Sequence, residues 1–127
     1  MELILIDDHE LILWSVTQAL LQLRPGLIVH AYPCCEPALL RSPGGISHVL
    51  VDFQLSPGEP WQSGPLQGWR CLAALSRRFP DSRRVMMSAH PRARMLAPAL
   101  AAGAHDYVEK TMQPSAMMRN LCAALQL

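Results

Sequence analysis

Short strand-like runs in this 127-residue chain end in groups that can do chemistry. Residues 3–6, LILI, run into Asp7-Asp8; residues 48–51, HVLV, into Asp52; residues 84–87 into Ser88; and residues 105–109 into Lys110. A side chain at the end of a buried strand is held rigidly by the sheet and projects from its edge. Carboxylates gathered at one edge repel, by roughly 4 kcal/mol for a pair ~4 Å apart at an effective dielectric of about 20. A divalent cation relieves that strain. Carboxylate, carbonyl and water oxygens suit Mg²⁺, which keeps several waters and often meets phosphate in its remaining positions. The Ser88 hydroxyl and the Lys110 ammonium are groups that hold phosphoryl oxygens.

Each residue taken singly has a plainer role. Aspartate often ends a strand and starts a turn, an acidic pair is favoured at a helix N-terminus, and a serine or lysine is commonly a surface residue. Placement of each group at the end of a different strand is what those roles explain poorly. Lys110 also stands out by count, because it is the only lysine beside ten arginines. His9 adjoins the acidic pair but is expected in the first helical turn, not as a ligand. The five histidines make no zinc-like spacing.

The elements that must position these groups follow from periodicity and punctuation. Residues 3–6 read as a buried strand. Residues 10–23 lack proline and glycine and carry Leu13, Val16, Leu20 and Leu23 at helical spacing until Pro25-Gly26 stops them. A second strand is expected over 27–31, a short helix over 36–41, and a third strand over 49–53. Residues 56–67, SPGEPWQSGPLQ, hold three prolines and two glycines and read as a long loop. A helix over 69–79, a strand over 84–87, a helix over 92–102 disturbed by Pro98 and capped by Gly103, a strand over 105–109 and a helix over 115–125, capped near Pro114-Ser115, complete the chain. Five strands each followed by a helix predict an α/β fold, a five-stranded parallel sheet with helices on both faces. Right-handed crossovers put all five carboxyl ends on one edge, where such sheets bind ligands.

Composition narrows the function. Half the residues are apolar and 17% are charged, a globular composition in one domain. A net charge of +1 gives no basic stripe for a phosphate backbone. Cys34, Cys35, Cys71 and Cys122 show no C-x-x-C spacing and read as reduced, mostly buried thiols. The acidic N-terminus MELILIDD is neither signal peptide nor membrane span, so a cytoplasmic location is expected.

The ordered segments LILIDDHE, VLVDF, MMSAH and AGAHDYVEK together resemble the receiver domain of a bacterial two-component response regulator, along the whole chain. The resemblance implies a flavodoxin-like (βα)5 fold with strand order 2-1-3-4-5, residues 1–127 forming one receiver domain with no output domain in this chain. It implies that Asp52 is the phosphoacceptor, taking its phosphoryl group from a sensor histidine kinase or from a small acyl phosphate or amidophosphate. Asp8, Asp52 and the backbone carbonyl of Gln54 would bind Mg²⁺, with Asp7 helping through water. Ser88 and Lys110 would contact the phosphoryl group, and Tyr107 would rotate inward as Ser88 moves. The domain would be a switch, not an enzyme, with self-dephosphorylation as its only chemistry.

Departures from the family pattern carry further expectations. Thr111 follows Lys110 where many receivers have proline, so the peptide there need not be cis. With the DDH start, this looks most like regulators with a helix-turn-helix output domain, through which alone DNA would be contacted. Dimerisation would use the face of the fourth helix, fifth strand and fifth helix, which Pro98 disturbs. Gln54 and His90 would tune the phosphoryl lifetime. A haloacid-dehalogenase-type phosphatase shares the Asp, Ser and Lys set but wants a second aspartate where Gln54 stands. The remaining alternative is a degenerate receiver, a phosphorylation-independent interaction module whose proline-rich loop blocks the pocket.

Overall fold

The structure, a computed structural model, describes residues 1–53, 67–111 and 113–127. The elements run β1 (Glu2–Ile6), α1 (Glu10–Leu23), β2 (Ile28–Tyr32), α2 (Cys35–Arg41), β3 (His48–Asp52), α3 (Gln67–Arg78), β4 (Arg83–Ser88), α4 (Arg92–Ala101), β5 (Asp106–Glu109) and α5 (Pro114–Leu125). The strands pair in parallel in the order β2-β1-β3-β4-β5, as the sequence led us to expect. Among the described residues no helix is long and apolar enough to cross a membrane.

The strands are apolar throughout because both faces of the sheet are covered, and their period of two sorts them. Leu3 and Leu5, Leu50, Val85 and Met87, and Val108 pack with Val16 and Leu20 of α1 and Leu121 and Leu125 of α5. Their neighbours Ile4, Ile6, Val49 and Val51 face the other way, onto Ala38 of α2 and Cys71 and Leu75 of α3. Met86 and Tyr107 share that second side with Leu72 of α3 and Met95 and Ala99 of α4. Continued past the strand ends, this alternation sends Asp7, Asp52 and Lys110 toward the α1/α5 face, and Ser88 toward the α4 face. Leu23, at the last position of the α1 stripe, is more than half exposed.

Two glycines are required where they stand. A Cβ on Gly68 would lie 2.4 Å from the Phe53 carbonyl oxygen and 2.7 Å from its Cα, so only glycine lets α3 press against the backbone just beyond Asp52. Gly103, at φ 109°, closes α4: its N–H bonds the Leu100 carbonyl and that of Ala104 bonds Ala99, a Schellman motif. Pro98 therefore does not end α4, which continues to Ala101 with the Ala102 N–H bonded to the Pro98 carbonyl. The start of α5 corrects the sequence reading, because the cap residue is Gln113, Pro114 is the first helical residue and Ser115 lies inside. Proline's fixed φ suits that first position, where its missing donor costs nothing.

At the opposite edge of the sheet, Arg84 ties two helix ends together. Its buried guanidinium donates to the carbonyls of Phe79, Pro80 and Ser82 beyond α3, and to Gly103 beyond α4, at 2.8–3.2 Å. These carbonyls are left over at helix C-termini, where the macrodipole also favours a cation. Replacing Arg84 by Met should cost about 2–4 kcal/mol in denaturant unfolding, since several buried acceptors lose a charged donor together.

Two histidines near this edge make stability depend on pH. Burial pushes the pKa of His48 below the usual histidine value, and the N-terminal ammonium and Arg83 push the same way. His105 is lowered by desolvation and by Arg84 and Arg83, and its Nδ1 accepts the Arg84 backbone N–H. With both folded pKa values depressed, the unfolded chain binds protons first as pH falls below about 6.5, and stability falls with it. Unfolding free energy should therefore drop from about pH 7.5 to about pH 5.5, and His48→Gln should flatten that drop.

Candidate functional site

In this strand order β1 lies between β2 and β3, so the chain crosses from one side of β1 to the other and leaves a crevice at the carboxyl ends of β1 and β3. Asp7, just past β1, and Asp52, ending β3, line it; they are 0% and 2% exposed. Lys110, just past β5, reaches between them, with Nζ 3.1 Å from Asp7 Oδ2 and 3.2 Å from Asp52 Oδ2. Burial opposes the Lys110 charge, but Asp52 and Asp7 outweigh it and hold its pKa above the ordinary lysine value.

Both oxygens of Asp7 meet protein donors. Its Oδ2 accepts from Lys110, and its Oδ1 accepts the His9 backbone N–H at 2.9 Å and meets His9 Nδ1 at 3.2 Å. His9 Nδ1 is also 3.2 Å from Asp8 Oδ1. One ligand atom from each of Asp7, Asp8, His9 and Asp52 lies within 4.8 Å of all the others. That spacing, with three carboxylates in the set, fits a single hard divalent cation.

His9 is the group that sequence reasoning set aside. It caps α1 in an extended conformation (φ −89°, ψ 107°) instead of entering the first turn, which carries its ring back over the acidic pair. Its position directly after two aspartates and directly before the helix was the available signal.

Ser88 and Tyr107 form a second group on the α4 side. Both are buried, and their hydroxyls are hydrogen-bonded to each other. Tyr107 donates to the His90 carbonyl at 2.7 Å, and the His90 N–H donates to Ser88 Oγ at 3.1 Å, closing a small ring of bonds. Burial raises the Tyr107 pKa, so the phenol stays protonated and able to donate. The ring of Tyr107 is thus already turned inward. The two groups meet through the backbone, where the Lys110 N–H donates to the Ser88 carbonyl at 2.7 Å.

Phe53, one residue past Asp52, stacks against Trp69 with ring centroids 4.7 Å apart and meets His90 edge-on at 5.9 Å. The expected Gln54 ligand and nearly all of the proline-rich loop lie outside the described residues, and Gln67 belongs to α3. The Lys110–Thr111 peptide is trans, as the absence of proline at position 111 allows.

Residues 3–122 match the family model described as the response regulator receiver domain. No curated protein sequence matches significantly. Among solved structures, the BeF3-activated receiver domain of DrrB is similar over 99% of this chain and 97% of that one, with 20% identity and a TM-score of 0.75. DrrB is an OmpR/PhoB homolog of Thermotoga maritima. A response regulator from Burkholderia pseudomallei, solved with a phosphorylated aspartic acid, a calcium ion and citrate, is 23% identical over 98% of this chain and 66% of that one, with a TM-score of 0.75. The chemotaxis response regulator CheY4 of Vibrio cholerae is 16% identical over 98% of each chain, also with a TM-score of 0.75. At these identities the solved structures establish a shared fold, and the family model covers most of the sequence: the chain belongs to the response regulator receiver domain family.

Proposed function

We propose that this receiver is a cytoplasmic phosphorylation switch of two-component signalling, charged at Asp52 by the phosphohistidine of a sensor histidine kinase. The observation that carries the reading is the Lys110 ammonium held between the buried carboxylates of Asp7 and Asp52. An Asp52 oxygen attacks phosphorus; the P–O bond forms as the P–N bond to the donor imidazole breaks, and the imidazole leaves with the electron pair and takes a proton from solvent. Asp8 and Asp52, with the Gln54 carbonyl, would hold Mg²⁺, and Asp7 would reach it through water. When bound, the ion supplies neutralising charge to the transferring phosphoryl oxygens.

Aspartyl phosphate adds about two negative charges and three acceptor oxygens. Lys110 exchanges Asp52 for one of those oxygens while Asp7 keeps its other contact. Ser88 exchanges Tyr107 for another, and Tyr107 retains the His90 carbonyl. The loops after β4 and β5 then settle in a new arrangement, a two-state bias of a few contacts. His90, beside Phe53 at the mouth of the pocket, and Gln54 set how long the phosphoryl group survives. Self-dephosphorylation is the only chemistry the domain performs.

The change is read on the face made by α4, β5 and α5. Arg92 at the start of α4 donates to the Tyr107 carbonyl at 3.2 Å and to Asp106 at 2.8 Å, and its backbone N–H donates to Glu109. A groove of about 440 Å³ between these residues, Thr111 and Asn120 lies on the same face. We infer that this face forms the homodimer, and that the output is transcription through a DNA-binding domain other than these 127 residues.

Incubation with acetyl phosphate and Mg²⁺ followed by intact mass measurement should show one added phosphate, lost in Asp52→Ala. No added phosphate, or labelling that survives Asp52→Ala, would instead make the chain a phosphorylation-independent interaction module. Ser88→Ala should still take up phosphate yet leave the amide resonances of α4 and β5 at their unphosphorylated positions.

A further inference from the structure

We propose that the groove between the C-terminal end of α1 and α5 is a binding site for a fatty carboxylate, with the hydrocarbon chain on its apolar floor and the carboxylate on Arg24 and Arg119. Nothing in it depends on phosphoryl transfer to Asp52, so the two readings stand or fall separately.

The groove has a volume of about 490 Å³, inside the roughly 300–1,000 Å³ range of small-molecule sites. One stripe of α5 supplies its wall: Ser115, Met118, Arg119 and Cys122 recur at the i, i+3, i+4, i+7 spacing of a single helix face. Leu23, the last residue of α1, and Leu127 complete the lining. Met118, Cys122 and Leu127 pack against the core at its margin and are only partly covered. Leu23 continues the apolar stripe of α1 beyond Leu20 yet stays 55% exposed. The core on this side of the sheet thus ends in an apolar floor open to water.

Charge selects the occupant. Arg24 and Arg119 line the groove, and none of the described residues that line it is Asp or Glu. Neither guanidinium has a salt-bridge partner among the described residues. The Arg24 charge reaches the floor: burial raises the pKa of the Cys122 thiol, and Arg24 pulls it the other way. A guanidinium presents a planar fork of donors that matches a carboxylate. A second copy of the chain would bring the same two arginines together across a two-fold axis, so like charges oppose self-association here. A folded partner uses roughly 20–30 residues a side, far more than the seven that line this groove. One alkyl chain with an anionic head meets both the size and the charge.

Calorimetric titration with decanoate, octanoate and decyltrimethylammonium, each below its micellar concentration, tests the assignment. Decanoate is expected to bind one-to-one, about fourfold more tightly than octanoate, because two further methylenes become about half buried. Decyltrimethylammonium should bind at least about tenfold more weakly, since the same chain then carries the wrong charge. Arg24→Gln and Arg119→Gln should each lower decanoate affinity about threefold, and Leu23→Asn about threefold. All three side chains are exposed, so these changes spare the core. In peptide mapping after iodoacetamide treatment, decanoate should slow alkylation of Cys122 and leave Cys34, partly buried at the cap of α2, unchanged. Absence of decanoate binding, equal binding of the two decyl ions, or binding that leaves Cys122 unshielded would overturn the site. Shielding of Cys122 by raised protein concentration alone would assign the groove to a second copy instead. Flotation with phosphatidylglycerol vesicles without binding of free decanoate would assign it to a membrane surface, and either result overturns the proposal.

Discussion

Asp7 and Asp52 are buried at the ends of adjacent strands, and the Lys110 ammonium is held between their carboxylates. Water screens such a pair poorly, and a buried charge that loses its partner costs about 3–5 kcal/mol. Among the described residues Asp7 and Asp52 share one ammonium, and Asp7 and Asp8 share one exposed imidazole. Carboxylates gathered this closely suit a divalent cation. With Asp52 as the proposed phosphoacceptor, the same carboxylates would repel an arriving phosphoryl group until a cation is present, which would couple metal binding to phosphoryl acceptance by charge.

The period-two alternation of the strands divides the pocket into two halves. Asp7, Asp52 and Lys110 follow the residues that pack on α1 and α5, whereas Ser88 follows Met86 toward α4. A group arriving at Asp52 thus engages the charge half directly and the hydroxyl half only at its margin. The halves are joined by the bond from the Lys110 N–H to the Ser88 carbonyl, so a displacement of either residue strains the other through the backbone. Tyr107 contributes the stiffness of a buried ring on one side and three hydroxyl contacts on the other.

Much of this was legible in the sequence because strand ends are where apolar alternation stops, and a polar residue there has few places to go. Asp52, Ser88 and Lys110 could be placed by that logic before any coordinates. The direction of His9 could not, since it depends on one pair of backbone dihedrals at the cap and not on residue type. Arg84 was equally hidden: it sits in a strand-like run, and its partners are main-chain carbonyls from two separate turns, which no side-chain pattern announces. The cap of α5, expected near Pro114-Ser115, falls at Gln113, because the fixed φ of Pro114 suits the first helical position.

The start of α4 depends on β5. α4 has no side-chain cap from its own first turn, lacks one internal hydrogen bond at Pro98, and buries only Met95 and Ala99 fully. Its N-terminus is held instead by β5, through Glu109 on the Arg92 N–H and through Asp106 and the Tyr107 carbonyl on the Arg92 guanidinium. All three attachments come from the strand that carries Tyr107 and leads directly to Lys110. A change in the contacts of Lys110 or Tyr107 therefore acts at the root of α4's anchorage, which is how the proposed switch would reach this helix.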